Sequence, residues 1–335
     1  MTSPLSIAAR EFRIPEADLT PMGGGHFSHV YSFSCARREY VLRLTPPEAA
    51  VDHSSRLAIL AWMAHLAQHG VSVPAPLPSQ KGKLIEPIPT VEGTWLASVF
   101  TRAPRVLSEE IPIDQWHPDQ FEILGRCVGK MHAVAEQYDP ASGLKRPNWN
   151  ESGSLFNKPV DPTLPGHREK QEQIIEKLRG LPRPPFAYGM IHADLHFGNF
   201  YFDSKTNTIT LIDFDDCALG WYVMDLAVLI FDVLVLYEGP GRRGFAELFT
   251  RQLLSGYMQE KDVFSGWIHR IPLLLKLLEI NIYSMVHKSY QQGEGDAWVK
   301  KFMPGRLARI EHDIPYLEFD LAKLFAETAA KVKAG

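Results

Sequence analysis

Three polar side chains in one stretch of the sequence have the types and the spacing needed for phosphoryl transfer. Residues 192–200 read His-Ala-Asp-Leu-His-Phe-Gly-Asn-Phe, and Leu-Ile-Asp-Phe-Asp-Asp follows after a short spacer. Asp194 can accept a hydrogen bond from a substrate hydroxyl and take its proton late in the transfer. Asn199 and Asp213 offer oxygen ligands of the kind that Mg²⁺ takes beside a nucleoside triphosphate. The pattern therefore predicts a phosphoryl-transfer site.

Other chemistries suit the same stretch less well. Asp194 alone could cap a turn, but the two oxygen ligands that follow it favour catalysis. His192 and His196 are four residues apart, yet a helical zinc motif needs Glu directly after the first His, where alanine stands. We expect His192 to support the catalytic turn through hydrogen bonds, and His196 to do the same or to contact substrate. We expect Asp215 and Asp216 to be solvated or to lie behind the metal ligands.

A second candidate binding element lies near the N-terminus. Gly23, Gly24 and Gly25 open the stretch Gly-Gly-Gly-His-Phe-Ser-His-Val, and glycine lets backbone N–H groups approach phosphate oxygens closely. Such clusters also occur in ordinary loops, but this one precedes a predicted strand pair. Arg43 is a cation among the apolar residues of the second strand, where it faces either solvent or a cleft. We predict that the glycines, Ser28 and Arg43 bind nucleotide phosphates.

The predicted elements divide the chain into two parts, 1–102 and 103–335. The first part has two strands within 22–44, a helix at 54–68 and two short strands at 83–88 and 94–100, which indicates a small antiparallel sheet with one helix. The second part is mainly helical. Its candidate helices are 118–138, 169–178, 223–236, 244–258, 263–291 and 303–330. A short hairpin, 199–202 with 209–214, connects the two motif segments, and 140–165 is predicted to be a long surface excursion.

The composition restricts the classes of partner. The chain has 335 residues, 45% of them hydrophobic, and a net charge of -4, so we expect no electrostatic binding of nucleic acid or of an anionic membrane. Its three cysteines are far apart, which favours a reduced, cytoplasmic setting. The first twelve residues lack the apolar core of a signal peptide. The longest apolar run, 223–236, contains two Asp residues and is predicted to be a buried helix.

The sequence resembles the aminoglycoside phosphotransferase and choline kinase-like superfamily, which has the protein-kinase-like fold. The likeness is strongest from 191 to 227. The motifs that carry it are His192-x-Asp194-x-His196-x-x-Asn199 and Ile212-Asp213-Phe214-Asp215. The segment 124–132 also resembles the family's first large-lobe helix. The resemblance implies an α+β, bilobal protein-kinase-like fold with a small antiparallel-sheet N-lobe and a large, mainly helical C-lobe.

The same resemblance assigns roles to residues. It implies that Asp194 is the catalytic base and that Asn199 and Asp213 are the Mg²⁺ ligands. It also implies that Asp225 is the buried acid that supports the catalytic turn, although an acid near a helix N-terminus is favoured by the helix dipole as well.

The sequence departs from the family pattern at the nucleotide site. Arg43 stands where the family has a lysine, and Arg differs from Lys in reach and geometry. The helix at 54–68, which should supply a glutamate partner, contains no acid. Either Arg43 binds phosphate unaided, or Glu48 or Asp52 replaces the missing glutamate.

These features predict a small-molecule kinase that uses Mg²⁺ and ATP, with GTP as a second candidate donor. Main-chain groups around Phe100 and Arg102 would bind the base. The acceptor hydroxyl would lie over the helical lobe, and a cationic acceptor would suit the acids and aromatic residues there. The candidate contacts are Asp232, Glu238, and Trp221 or Tyr222.

Two alternatives remain at this point. The Arg43 substitution and the missing helix acid would also fit a nucleotide-binding pseudokinase or sensor without turnover, although the base and metal positions are intact. A protein kinase fits less well, because neither an Asp-Phe-Gly nor an Ala-Pro-Glu motif is present. The acceptor itself and the oligomeric state do not follow from the sequence.

Overall fold

The computed structural model describes most of the chain. The described residues are 3–22, 28–49, 52–103, 107–141, 143–151, 154–164, 166–237 and 239–334. Gly23, Gly24, Gly25 and Glu238, all predicted to contact ligands, lie outside them. The chain forms two compact units. The first comprises Met1–Arg105, Asp139–Arg146 and Thr210–Asp215, and the second comprises Val106–Tyr138, Pro147–Ile209 and Asp216–Gly335. The first unit thus includes two segments from beyond the predicted boundary at residue 102.

Among the described residues, the first unit contains a six-stranded antiparallel sheet. Its strands are β1 (Thr20–Met22), β2 (His29–Cys35), β3 (Arg38–Thr45), β4 (Pro76–Leu77), β5 (Glu86–Thr90) and β6 (Gly93–Thr101). Their order is β1-β2-β3-β6-β4, and β5 pairs with β6. The strand predicted at 83–88 lies two to three residues later than expected.

Strand β3 separates the core of the first unit from its polar face. Leu42 and Leu44 are buried and pack in one hydrophobic cluster with α1 (Pro4–Glu11). Successive side chains of a strand point to opposite faces, so Arg43 points away from this core. Helix α2 (His53–Gln68) matches the predicted helix closely, and the carboxylate of Asp52 caps its N-terminus.

The second unit is mainly helical. Its helices are α3 (Pro118–Glu136), α4 (His167–Arg179), α5 (Val223–Leu236), α6 (Arg242–Glu260), α7 (Ser265–Ile268), α8 (Ile271–Gln291), α9 (Ala297–Phe302), α10 (Arg306–Glu311) and α11 (Leu321–Ala334). Helix α5 has the predicted bounds, and nearly all of its residues are buried. None of the helices in the described ranges is both long and apolar enough to cross a bilayer.

Two predicted helices were too long. The segment 263–291 forms two helices, and Pro272 lies at the start of the second, where its missing N–H costs nothing. The segment 303–330 is interrupted as well. Gly305 caps α10 with a φ of 70°, and Ile314 and Pro315 follow α10, where a proline disfavours helix in the preceding residue.

Two strand pairs frame the motif segments. β7 (Tyr188–Ile191) pairs antiparallel with β10 (Ala218–Trp221), a pairing that the sequence did not predict. The hairpin predicted between the motifs is present as β8 (Phe200–Asp203) and β9 (Thr208–Leu211).

Helices α3 and α6 touch backbone to backbone. A Cβ on Gly125 would lie 2.1 Å from the carbonyl oxygen of Leu253, and one on Gly256 would lie 1.9 Å from that of Glu122. Neither distance is possible for a real Cβ, so only glycine permits this approach. The contact fixes the neighbouring Tyr257 against α3.

Candidate active site

Asp194 lies in a loop between β7 and β8. Leu195 and Phe197 within this loop are buried at 0% and 1% exposure and anchor it in the second unit. The Asp194 side chain is 30% exposed, so its carboxylate remains accessible to solvent or substrate. The loop ends in a short 3₁₀ turn, Phe197–Asn199, which leads directly into β8.

The buried carboxylate of Asp225 fixes the backbone just before Asp194. Its two oxygens accept hydrogen bonds from the backbone N–H groups of His192 and Ala193, each at 2.8 Å. Ala193 has a φ of 68°, a left-handed conformation that costs about 1–3 kcal/mol for a residue other than glycine. The two bonds offset this strain, and the turn therefore presents Asp194 in one conformation. The His192 side chain is itself fully buried.

A histidine that the sequence analysis did not single out supports Asp225. His132 Nε2 lies 3.0 Å from Asp225 Oδ2, and His132 Nδ1 lies 3.0 Å from the Tyr257 hydroxyl. Since the carboxylate only accepts, Nε2 carries the proton, and Tyr257 O–H donates to Nδ1. Burial lowers the pKa of His132 despite the nearby carboxylate. The signal for this role was a polar residue within the apolar stripe of α3.

His132 should give the protein a measurable pH dependence. Its folded-state pKa lies below the unfolded value of about 6.5, so its contribution to stability is present above that pH and is lost as the pH falls below it. The slope from this one group reaches at most about 1.4 kcal/mol per pH unit. Urea unfolding between pH 7 and pH 5 should show a shallower slope for His132→Gln than for wild type. A His132→Gln variant with the same slope as wild type would contradict the assignment.

Asn199 is hydrogen-bonded directly to Asp194. Its Nδ2 donates to the Asp194 backbone oxygen at 2.8 Å and approaches Asp194 Oδ2 at 3.3 Å. Both contacts use the amide nitrogen, which leaves the amide oxygen as the group that can bind a hard cation. His196 Nδ1 accepts a hydrogen bond from Gly198 N–H at 3.0 Å, and its Nε2 lies 3.8 Å from Asp194 Oδ2. The structure thus brings Asp194, Asn199 and His196 together.

Asp232 supports the same loop from α5. Its carboxylate accepts the Phe197 N–H at 2.8 Å and the Trp298 Nε1–H at 2.7 Å, and only 5% of the residue is exposed. Burial raises its pKa. Asp232, Trp221 and Tyr222, the described candidates for contact with an acceptor, are all buried. Trp221 and Tyr222 are buried core residues, because β10 and the start of α5 lie inside the second unit.

The Trp298 bond to Asp232 should matter for stability. Trp298→Phe keeps a ring but removes one of two donors to a buried carboxylate, which should cost about 1–3 kcal/mol. Trp95→Phe is a matched control, since Trp95 is half-buried like Trp298 and its Nε1 has no hydrogen-bond partner among the described residues. Urea denaturation should show the larger loss for Trp298→Phe once the effect of the smaller ring is subtracted. Equal losses would contradict the role of the hydrogen bond.

In the first unit, Asp215 pairs with two arginines. Arg43 Nη2 lies 3.1 Å from Asp215 Oδ2, and Arg56 Nη1 lies 2.5 Å from Oδ1. Arg43 Nε also donates to Ser28 Oγ at 3.1 Å. Burial by itself raises the pKa of Asp215, but the two arginines outweigh it and hold that pKa below its ordinary value. Burial and the charge of Arg43 lower the pKa of Arg56.

This pairing corrects two predictions. Asp215 is not simply solvated, and it is the acid that pairs with Arg43. Asp52 does not take that role, because its carboxylate caps α2 by accepting the Ser55 N–H at 2.7 Å. Helix α2 contributes a cation, Arg56, to this cluster, and the acid comes from a segment far along the chain.

The remaining predicted nucleotide residues lie on or after β6. Phe100 is 9% exposed and pairs with β3 and β4. The Arg102 N–H donates to the Glu39 oxygen and the Thr101 N–H to the Ala75 oxygen, each at 3.0 Å. These two N–H groups are therefore used by the protein itself.

Asp213, the second predicted metal ligand, is exposed and has a φ of 59°, in the left-handed region.

A cavity of about 230 Å³ lies beside the loop that carries Asp194, in the second unit. Its polar lining includes Glu109, Asp114, Tyr237 and Lys301, and Phe197 of the loop forms part of its wall. Glu109 reaches the loop itself, because a Cβ on Gly198 would lie 2.7 Å from Glu109 Oε2. Neither Glu109 nor Asp114 was predicted from the sequence to be a site residue.

Comparison with known proteins places this chain among phosphotransferases. The model of the phosphotransferase enzyme family (APH) matches residues 18–262. Amicoumacin kinase from Bacillus subtilis (strain 168) is 31% identical over 304 residues, which cover 89% of this chain and 88% of that protein. The solved structure of amicoumacin kinase hAmiN in complex with AMP-PNP, Ca²⁺ and Ami has a TM-score of 0.82 at 27% identity and covers 96% of each chain.

A more distant structure agrees in fold. The microcompartment-associated aminopropanol kinase has a TM-score of 0.65 at 18% identity, and the match covers 98% of this chain and 95% of that one. Together these similarities confirm the predicted fold class, in which a small antiparallel sheet is combined with a large, mainly helical remainder.

Proposed function

This chain belongs to the phosphotransferase enzyme family, and we propose that it transfers the γ-phosphoryl group of ATP, in the presence of Mg²⁺, to a hydroxyl of a small, amine-bearing acceptor. Its relatives include small-molecule kinases, and one of them was solved with AMP-PNP and Ca²⁺, which supports the use of a nucleotide and a divalent cation. GTP is a second candidate donor. The observation that carries the proposal is the Asp194–Asn199 pair on a turn fixed by Asp225.

Asp194 is proposed as the catalytic base. Its accessible carboxylate would accept a hydrogen bond from the acceptor hydroxyl and orient that oxygen toward the γ-phosphorus. As the new O–P bond forms and the bond to the β-phosphate oxygen breaks, the hydroxyl proton passes to Asp194 and ADP leaves. The Asp225 bonds support this role because they hold the base in place before substrate binds.

Asn199 and Asp213 are proposed as the Mg²⁺ ligands. A neutral amide oxygen and one carboxylate are a donor set that suits Mg²⁺, which usually keeps several waters and takes phosphate oxygens as well. Asn199 directly precedes β8, and Asp213 comes two residues after β9, the strand with which β8 pairs. When bound, the cation would neutralise the charge that develops on the phosphate oxygens.

The first unit is proposed to bind the nucleotide. Arg43 would contact the phosphates beside Ser28, and the predicted glycine turn, Gly23 to Gly25, would add backbone N–H groups. Main-chain groups near Phe100 and Arg102 remain the proposed contacts of the base. The bonds that Thr101 and Arg102 N–H already make favour carbonyl groups over these two amides for that purpose.

The cavity beside the catalytic loop is proposed as the acceptor pocket. Its lining carries two carboxylates, Glu109 and Asp114, and one cation, Lys301, so the remaining negative charge favours an ammonium group of the acceptor. The position of Glu109 next to Gly198 would bring a bound amine close to the loop that carries Asp194. A volume of about 230 Å³ suits a small acceptor or the amine-bearing part of a larger one.

Transfer of ³²P from γ-labelled ATP and GTP tests the proposal. The acceptor panel would contain amicoumacin, aminopropanol, an aminoglycoside, and the N-acetylated form of each active compound. We expect product from at least one amine-bearing acceptor, less product after acetylation, and none with Asp213→Asn. Binding of Mg·AMP-PNP without any product across the panel would contradict the proposal and favour the pseudokinase.

A further inference from the structure

Three arginines of the first unit hold the short segment that contains Asp213 and Asp215. Arg43 and Arg56 bind the Asp215 carboxylate, with the shortest contacts at 3.1 and 2.5 Å. Arg56 makes a second contact through Nη2 at 3.3 Å. Arg146 Nη2 donates to the Asp215 backbone oxygen at 2.7 Å. Both the side chain and the backbone of Asp215 are therefore fixed.

The contacts come from different parts of the first unit. Arg43 lies on β3, Arg56 lies on α2, and Arg146 lies in the segment Asp139–Arg146 and also donates to Ser55 Oγ at 2.7 Å. One carboxylate thus connects the sheet, the helix and the segment that follows β9. In a protein-kinase-like site, a lysine on the strand and a glutamate on the helix form the ion pair that joins the sheet to the helix. Here the helix carries a cation, and the acid belongs to the segment after β9.

The two cations also leave positive charge for a ligand. Asp215 neutralises only one of the two guanidinium groups that it binds. Arg56 is 7% exposed and directs both Nη atoms at Asp215, so it serves mainly to hold that carboxylate. The Arg43 side chain is 30% exposed and uses Nε and Nη2 in its bonds to Ser28 and Asp215. Its Nη1 is therefore the donor that suits an anionic phosphate oxygen.

We propose that Asp215 is a positioning residue that takes the place of the missing helix acid: it orients Arg43 toward the nucleotide phosphates and, held by Arg56 and Arg146, fixes the Asp213 carboxylate for its cation. The inference rests on the proposed function, because it assumes the nucleotide and metal roles of Arg43 and Asp213. It adds that one residue controls phosphate binding and metal binding together.

Binding measurements on Asp215→Asn test the inference. The full-length protein would be titrated calorimetrically with AMP-PNP in saturating Mg²⁺, then with Mg²⁺ at fixed AMP-PNP, and finally with adenosine alone. We expect about 10- to 100-fold weaker binding of AMP-PNP and a similar rise in the half-saturating Mg²⁺ concentration. Adenosine, which has no phosphate, should bind as in wild type. Asp216→Asn, at the exposed neighbouring position, should match wild type in all three titrations.

A second variant separates an effect on binding from a loss of folding. Asp215→Asn leaves Arg56 buried without its counter-charge, so the double variant Asp215→Asn/Arg56→Gln removes both charges together. It should fold, as judged by its thermal transition, and still show the weakened AMP-PNP and Mg²⁺ binding. Wild-type affinities for both ligands in either folded variant would overturn the inference. Failure of the wild-type protein to bind Mg·AMP-PNP at all would instead refute the proposed function.

Discussion

Asp194→Asn is expected to lower kcat by about 10²- to 10⁴-fold, the usual contribution of a positioned general base. Asparagine keeps the size of the side chain and its ability to accept a hydrogen bond, but it cannot take up the hydroxyl proton. The hydrogen bond from the Asn199 side-chain amide to the backbone oxygen of residue 194 would remain, so the loop should keep its conformation. Steady-state kinetics with the best acceptor would show the loss in kcat, with little change in the KM for ATP.

A matched variant separates this effect from a general loss of negative charge. Asp203→Asn lies on β8 in the same part of the chain, and its carboxylate bonds to the Lys205 N–H. It should keep nearly all of the wild-type kcat. Turnover by Asp194→Asn within threefold of wild type would exclude Asp194 as the base.

Asp225→Ala is expected to destabilise the protein by about 3 kcal/mol or more, because three buried donors would lose their acceptor and each unsatisfied donor costs about 1–3 kcal/mol. The carboxylate is fully buried and bonds three groups: the His192 and Ala193 N–H groups and the His132 ring. Its removal would leave two backbone donors unsatisfied next to a residue with a left-handed φ. Urea unfolding would measure the loss, and kcat at a temperature where the variant is folded should fall as well.

The exposed Asp262→Ala variant is the control for this measurement, and its stability should stay within about 0.5 kcal/mol of wild type. The prediction would fail if Asp225→Ala were as stable as this control. It would also fail in part if the variant unfolded more easily but turned over normally when folded, because Asp225 would then support the fold without positioning the base.

The features that could be predicted from the sequence are those that depend on neighbouring residues. Helix α5 was predicted with its observed bounds, since its apolar run is long and continuous enough to indicate a buried helix. The hairpin of β8 and β9 followed from two short apolar segments around a polar turn. The link between Asp194 and Asn199 spans five residues, and so their spacing alone suggested a common site.

The features that could not be predicted join distant parts of the chain. Arg56 and Asp215 are 159 residues apart, and His132 and Asp225 are 93 apart. Nothing in the local pattern of either partner indicates the other. The absence of an acid from α2 indicated that the usual ion pair is lost, whereas the structure pairs Arg43 and Arg56 with Asp215. The pairing of β7 with β10 was also missed, because each strand is only four residues long and the two are distant in the sequence.

Paramagnetic resonance of bound Mn²⁺ tests the central claim most directly. Mn²⁺ can replace Mg²⁺ at oxygen ligands, and its spectrum distinguishes bound from aqueous ions. With AMP-PNP present, wild type and Asp194→Asn should each bind Mn²⁺, while Asp213→Asn and Asn199→Leu should lose most of the bound signal. Full Mn²⁺ binding by both of the latter variants would contradict the assignment of Asn199 and Asp213, and with it the proposed phosphoryl-transfer site.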